Sequence, residues 1–422
     1  MTAIHPETTD RQAQLSRNAA FGFGAANIVA LVILQGFGVP FAGSSVQLCL
    51  PIYFASLCLI VFGLGLTISP VRLLLYGAMV AAMAVSQMLS GAIADAPALM
   101  LVLVLYAAFV IEIPVDSQTL KRVFGFFQAT MMGVAALVFL QHAVQFTLGP
   151  AAWPSLRELV PASLLFPGYN YLQPFDYGSP YIKPNGFFFL EASFVSQFLA
   201  IALVVELVMF RRIWFMAIFV AAIFASLAGS GLLILALAAP VLAVRAPARI
   251  WLAAAILLAA TGVVAGALGW TEVTGRRIEE FSMPGSSAYN RYVRPMQQLG
   301  QLVEEPERVI VGHGAGRAPI GDVGDDTLPL SKMAYEYGFV ATLLLIALMV
   351  TAMFGGGSSA RIATLLFLYY NLGGGGLSVP VYVLLPALLA ANLKPRRPAL
   401  PERLADEAPA ADPLPPVRPL AA

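Results

Sequence analysis

Long apolar stretches separated by short polar interruptions set the architecture of this chain. Apolar runs fill residues 21–39, 47–68, 71–91, 97–114, 123–147 and 187–210, and a continuous stretch follows at 213–244. A run of about 18 or more apolar residues can cross a hydrocarbon core of about 30 Å as a helix. The stretch at 213–244 is interrupted by Ala228-Gly229-Ser230-Gly231, which divides it into two short spans, 213–227 and 231–244. Further runs occupy 250–269, 334–354 and 360–393, the last broken at Gly373-Gly374-Gly375-Gly376. The pattern predicts an all-α polytopic membrane protein with about twelve transmembrane helices. Each Gly-broken pair also reads as one long span or as a re-entrant hairpin. Residues 1–19 are polar, so no cleavable signal peptide is expected. The predicted membrane domain covers 1–394, and the Pro- and Ala-rich segment 395–422 reads as a disordered cytoplasmic tail.

Composition agrees with this class. Charged residues make up 11% of the chain, hydrophobic residues 59%, and mean hydropathy is +0.80. A soluble domain carries about 25% charged residues. The net charge of +1 gives no reason to expect a nucleic-acid partner. Cys49 and Cys58 lie in one apolar run, about 13 Å apart along a helix, too far for a disulfide. They are expected to be inert core or lipid-facing residues.

The charges order the spans. With an inside N-terminus, the short inner segments hold Arg72, Lys121, Arg122, Arg211, Arg212, Arg245, Arg249 and Arg361, and the tail opens with Lys394, Arg396 and Arg397. The short outer loops 40–46, 92–96, 228–230 and 373–378 hold neither Lys nor Arg. This asymmetry is the positive-inside pattern, and it places both termini in the cytoplasm. Two long outer segments, about 148–186 and 270–333, break it. They carry Arg157, Lys183, Arg276, Arg277, Arg291, Arg294, Arg308, Arg317 and Lys332. Long loops translocate regardless of charge, so these cations sit where topology alone would not place them.

The first long loop interleaves Pro154, Pro161, Pro167, Pro174, Pro180 and Pro184 with Phe166, Tyr169, Tyr171, Phe175, Tyr177 and Tyr181. Proline excludes a long helix. The aromatics suit either an interfacial belt or stacking on sugar rings. The loop ends at Lys183-Pro184-Asn185-Gly186, and Glu191 follows about one turn inside the next span. An acid at that depth is costly unless paired or hydrated, which makes Glu191 a functional candidate. Ser193, Ser196 and Gln197 line a wet cavity or bond helix to helix. Glu206, near the inner end, is expected to pair with Arg211 or to reach the inner surface.

In the second loop, Ser286 or Ser287 can cap a helix running to about Glu304. Tyr292, Met296, Leu299 and Leu302 recur there at helical spacing. Arg291 and Arg294 are three apart and share a face. Two guanidinium forks side by side suit a phosphate or pyrophosphate. A short extended run at 309–311 then enters Gly312-His313-Gly314-Ala315-Gly316-Arg317. The spacing is not that of a nucleotide-binding loop, although successive backbone N–H groups could form a nest for an anion. His313 is a candidate general base or phosphate ligand. Asp322, Asp325 and Asp326 match no metal-binding spacing and read as an acidic lid. Lys332 and Glu336 stand i,i+4 on one helix, paired with each other or facing a cavity.

These stretches carry a resemblance. Gly312-His313-Gly314-Ala315-Gly316 followed by Lys332-x-x-x-Glu336-Tyr337-Gly338 at the mouth of a span resembles the Wzy-type polymerase and O-antigen ligase superfamily. The junction Pro184-Asn185-Gly186-Phe187-Phe188-Phe189-Leu190-Glu191-Ala192-Ser193-Phe194 resembles the corresponding loop-to-span junction of bacterial polysaccharide polymerases. The broken pair around Gly229-Ser230-Gly231 matches the family's two short central spans, without the Ser-Arg of the ligase branch. Where that branch has a His-Asn pair, this chain has Thr327-Leu328. The resemblance therefore favours the polymerase branch. It implies a GT-C-like glycosyltransferase of the bacterial inner membrane, acting at the periplasmic face in O-antigen or exopolysaccharide synthesis. Its partners would be an undecaprenyl-pyrophosphate-linked glycan donor, a glycan acceptor, membrane lipids and a chain-length regulator, and it would need no nucleotide and no metal. Lys183, Arg276, Arg291, Arg294, Arg317, Lys332 and Glu336 would bind substrate, and His313 or Glu191 would be the base. The alternatives are a ligase that transfers the glycan to lipid A core or protein, and a polysaccharide-related transporter or flippase. Transport is disfavoured because the centres of most spans are apolar.

Overall fold

The computed structural model describes residues 6–41, 44–64, 67–90, 96–175, 178–244, 279–286, 288–318, 327–355, 359–373 and 376–395. Of the described residues 74% are helical and few form strands, as the apolar runs predict. In chain order the elements that matter are α1 (Pro6–Ile33), β1 (Gly38–Phe41), β2 (Ser44–Gln47), α2 (Cys49–Leu64), β3 (Thr67–Ile68), α3 (Pro70–Leu89), α4 (Ala96–Ala107), β4 (Ile111–Val115) and α5 (Ser117–Leu148). They are followed by α6 (Ala192–Val205), α7 (Ile213–Ala225), α8 (Ser230–Ala243), α9 (Arg294–Glu304), α10 (Pro306–Val311), α11 (Pro329–Phe354), α12 (Ala360–Leu372), α13 (Pro380–Pro386) and β5 (Leu393–Pro395).

Among the described residues, five stretches are long and apolar enough to cross a membrane: Gln14–Ile33, Pro70–Leu89, Ser117–Leu148, Ala192–Phe210 and Pro329–Phe354. Shorter apolar helices stand beside them, including Ile213–Ala225 and Ser230–Ala243. The break at 226–229 is real: Ser226 ends a helix, and Leu227 adopts φ 53. At about 1.5 Å per residue a helix the length of α7 reaches only about two-thirds of a 30 Å hydrocarbon core. The structure is thus a helical membrane protein with several helices shorter than a bilayer core. The run expected at 250–269, and the tail beyond Pro395, lie outside the described residues.

Several boundaries differ from the pattern, each for a local reason. The sixth span begins at Ala192 rather than 187, because Gly186 and Phe187 both take positive φ (60 and 69) and turn the chain first. The fourth yields after Ala107 to a single 3₁₀ turn and then β4, whose β-branched residues and Pro114 suit extended backbone. The expected extended run at 309–311 is helical instead. Pro306 starts α10, and Gly312, at φ 70, stops it.

α6 is the centre of the bundle. All of its residues except Ser193 and Leu203 are buried, as expected of a helix that is apolar all round. It packs against α5, α7, α8 and α12. Both Gly-broken turns dock on its first two turns. Ser196 Oγ donates to Ala228 O at 3.0 Å, and Ser230 Oγ to Ser193 O at 3.0 Å. A Cβ at Gly231 would overlap the Ser196 carbonyl. Gln197 Nε2 donates to Gly373 O at 2.7 Å, while Tyr382 OH donates to Gln197 Oε1 at 3.2 Å. Ser196 and Gln197 therefore bond helix to helix. Gln197→Ala would remove one of the two donors to the buried Gly373 carbonyl, leaving the Tyr382 hydroxyl at 2.9 Å, and is expected to cost about 0.5–1.5 kcal/mol. Thermal unfolding of the solubilised protein reads this, and an unchanged midpoint would contradict it.

Segments expected on the outer side gather at one end. Phe37 bridges Leu165, Tyr171 OH donates to Gly36 O at 3.0 Å, and Tyr292 OH to Leu372 O at 3.0 Å. The opposite end is closed by the β3–β4–β5 sheet, antiparallel then parallel, and by Arg72. Its guanidinium is 1% exposed. It donates to Ala352 O at 2.8 Å, Ala391 O at 3.1 Å and Phe109 O at 3.2 Å, and sits 3.2 Å from Glu112, which Lys394 approaches to 2.6 Å. Glu206 pairs with Arg212 (2.7 Å) rather than Arg211, because Arg211 turns off in the left-handed region at φ 61. Cys49 is buried and Cys58 exposed, both free.

Candidate functional site

The two motifs of the second loop meet. Gly338 takes φ 81 and breaks α11 after one polar-sided segment. Gly312 ends α10 directly against that break. A Cβ at Gly312 would overlap the Glu336 carbonyl, and one at Gly338 the Ile310 carbonyl. Only glycine allows the two backbones this approach and these dihedrals. His313 N donates to Tyr335 O at 3.0 Å, and Gly314 N to Glu336 O at 2.7 Å. Ala315 N donates to Gln87 Oε1 at 2.9 Å, and Ser86 Oγ to Val311 O and Glu336 O. These N–H groups are therefore spent on α11 and α3. The expected anion nest does not form, because the loop turns its backbone donors towards protein.

What the loop presents outward is side chains. A pocket of about 330 Å³ is lined by Ser90, Arg308, His313, Arg317 and Tyr335. The His313 ring stacks on Tyr335 at 4.4 Å between centroids. Its Nδ1 lies 3.3 Å from Tyr335 O, and its Nε2 lies 3.3 Å from Glu305 Oε2. Both neighbours are hydrogen-bond acceptors, and which ring nitrogen donates depends on the tautomer. Arg308 Nη1 donates to Gly312 O at 3.3 Å, while Arg317 is exposed at the rim. Glu336 is buried, within 3.9 Å of Lys332 Nζ, and accepts from Ala318 N at 3.4 Å. It fastens both ends of the loop to α11.

Arg291 and Arg294 are separated by environment. Residues Tyr289–Val293 form a π turn, started by Ser286 Oγ accepting from Tyr289 N. Residues three apart in that wider turn do not share a face as in an α-helix. Arg291 is buried and Arg294 half-buried. Met296, expected on the apolar face, is 54% exposed, while Leu302 is fully buried. Arg276, Arg277, Ser287, Asp322, Asp325 and Asp326 lie outside the described residues. Among the described residues no cluster of three His, Cys, Asp or Glu side chains could hold a metal.

Glu191 belongs to a second cluster. It occupies the N-cap position of α6, where a negative charge opposes the helix dipole favourably. Its Oε1 accepts from Asn170 N at 3.2 Å and its Oε2 from Ser193 Oγ at 3.1 Å. Asn185 Nδ2 donates to Tyr171 O and Phe189 O, both at 3.2 Å, holding the first loop over this junction. Burial, with a smaller push from the Glu191 charge, holds the Tyr171 hydroxyl above its ordinary range. Lys183 is buried in the same loop, where its N donates to Gln173 O at 2.8 Å. The loop aromatics pack on one another and on α5: Phe175, Tyr181, Phe146 and His142 form one group. Glu191 and His313 thus stand in surroundings built from different elements.

The sequence pattern did not single out Ser90, Glu305, Arg308 or Tyr335 as site residues. Arg308 was visible among the outer cations, but nothing in its spacing tied it to His313. That tie comes from the helical turn of α10. No protein-family model, no curated protein and no solved structure matches this chain.

Proposed function

We propose that this protein is a GT-C-type membrane glycosyltransferase. It would polymerise undecaprenyl-pyrophosphate-linked oligosaccharide repeat units at the periplasmic face of a bacterial inner membrane, with both termini cytoplasmic. One observation carries the reading. The two motifs behind the family resemblance, Gly312–Gly316 and Lys332–Gly338, interlock beneath a pocket that Arg308 and Arg317 make cationic and that His313 lines. That is the chemistry a departing pyrophosphate needs.

In the proposed reaction a hydroxyl of the acceptor glycan attacks the anomeric carbon of the donor. The bond from that carbon to the pyrophosphate oxygen breaks, and the pyrophosphate leaves with the electron pair. Arg308 and Arg317 offer donors to the developing charge. The hydroxyl proton passes to a base, either His313 or, at the head of α6, Glu191. Its two present partners, Asn170 N and Ser193 Oγ, donate to it, as an acceptor hydroxyl would.

Deleting the gene tests the reading. Polymerase loss leaves single repeat units on a surface-polysaccharide gel. Full-length glycan accumulating on undecaprenyl pyrophosphate would indicate the ligase instead, and unchanged polysaccharide would refute both. In a complemented strain, Arg317→Ala is expected to reduce polymer formation about 10–100-fold with normal protein levels. Wild-type chain length and yield would remove Arg317 from the site.

A further inference from the structure

An acid stands at the edge of the cationic pocket, and holding a departing anion gives it no task. Glu305 Oε2 lies 3.3 Å from His313 Nε2, and the Glu305 side chain is 56% exposed. A carboxylate so close to a site for pyrophosphate repels that anion, so binding alone does not explain it.

The fold sets Glu305 in place. It joins α9 to α10, where Pro306 fixes the next φ, and its carbonyl accepts from Arg308 N at 2.8 Å and Val309 N at 3.1 Å. The backbone is thus held while the side chain stays open to water. Its second oxygen, Oε1, has no partner among the described residues. Other acids at this end are placed differently. Glu336 is 3% exposed, engaged by Lys332 and Ala318 N, and out of reach of an incoming hydroxyl. Glu191 stands in the cluster built from other elements.

Position along α10 adds a second observation. Displacement at an anomeric carbon breaks one bond on the face opposite the bond that forms, so a base must stand apart from the leaving-group cations. Glu305 precedes α10, whereas the Arg308 guanidinium is held at the far end by Gly312 O, at 3.3 Å. At about 1.5 Å per residue, Glu305 and Gly312 are separated by about 10 Å of axial rise. Inverting glycosidases work with about 6.5–9.5 Å between their two acting carboxyl groups.

We propose that the base at this pocket is the Glu305–His313 pair, with Glu305 Oε1 taking the proton; this role rests on the glycosyl-transfer reading. As the acceptor hydroxyl attacks, its O–H bond breaks towards Oε1 and its oxygen bonds the anomeric carbon. The bond from that carbon to the pyrophosphate oxygen breaks, and the electron pair leaves with the pyrophosphate. Glu305 is left as the neutral acid and returns its proton to water through its exposed side. The proton thus stays at the pocket, and Glu191 is left to hold Asn170 over α6.

The test supplies full-length protein in liposomes with undecaprenyl-pyrophosphate-linked repeat unit, with and without sodium azide. Glu305→Ala is expected to lower polymer formation about 100-fold, with a wild-type unfolding midpoint because the side chain is largely exposed. Glu304→Ala and Glu307→Ala remove the same charge from the same stretch and should polymerise as wild type. Azide has no proton to lose, so it can attack the anomeric carbon without a base in the space that Glu305→Ala leaves. Release of undecaprenyl pyrophosphate should then recover, with a glycosyl azide of anomeric configuration opposite to the donor's as product. Wild-type polymer from Glu305→Ala would overturn the proposal. So would a loss that azide does not rescue, or an equal loss in Glu304→Ala or Glu307→Ala. Rescue confined to His313→Ala or to Glu191→Ala would also overturn it, placing the base at that residue alone. In each of these results the wild-type ladder remains, so glycosyl transfer survives. A wild-type protein that extends nothing would refute glycosyl transfer, and this role with it.

Discussion

Gly338→Ala is expected to leave little polymer on the cell surface and to lower the unfolding midpoint of the purified protein. Two penalties combine. At φ 81 an L side chain is strained, and the added methyl would overlap the Ile310 carbonyl. Strain and overpacking each cost about 1–3 kcal/mol, so the change is expected to cost about 2–6 kcal/mol. The backbones of α10 and α11 must part to admit the methyl. Parting them breaks the bonds from His313 N to Tyr335 O and from Gly314 N to Glu336 O. Those bonds aim the side chains of His313, Arg308 and Arg317 into one pocket. Limited proteolysis should therefore cut the 312–318 loop faster in the variant. Polymer formation fails because the cations disperse, even in molecules that remain folded. Wild-type polymer together with a wild-type midpoint would show that the Gly312–Gly338 contact organises nothing.

Arg72→Ala is expected to be the most damaging single change at the other end, at about 3–5 kcal/mol. One guanidinium satisfies three carbonyls from three separate segments, at Phe109, Ala352 and Ala391, and stands beside Glu112. Alanine would leave those carbonyls buried without donors and Glu112 with Lys394 as its remaining cation. Arg72→Lys should recover little, because a single ammonium cannot fork across the same acceptors. The readout is the yield of monodisperse protein in detergent and its midpoint. A variant as stable as wild type would mean that this end is held by helix packing alone.

Arg72 also marks a limit of sequence reading. The positive-inside pattern placed it on the inner side, as a charge that orders topology. It gave no sign that the side chain turns inward and is 1% exposed, because hydropathy records depth and says nothing of azimuth. The helical class was legible, though five of the described helices, rather than about twelve, are long and apolar enough to cross a membrane. The Gly-rich break at 228–231 divides two helices where the structure does. Gly312, His313 and the Lys332–Gly338 stretch were legible as unusual, though their contact was not. Short motifs on separate elements carry no record of distance, and the helical turn at 306–311 was hidden by a run of β-branched residues that reads as extended. The same confusion led to an anion nest at 312–316. Whether the N–H groups of such a loop face solvent or a neighbouring helix depends on Gly338 lying beneath it. Glu191 was rightly drawn from sequence as an acid near a span end, yet its partner Asn170 lies in a loop whose fold no periodicity specifies.

The central claim is glycan polymerisation at the interlocked loops, and reconstitution tests it most directly. Purified full-length protein in liposomes is supplied with undecaprenyl-pyrophosphate-linked repeat unit and no other substrate. The expected result is a ladder of glycans lengthening by whole repeats, with undecaprenyl pyrophosphate released in step, and with both lost in Gly338→Ala. A repeat unit that stays unextended with the wild-type protein, while its lipid carrier remains intact, would contradict the account.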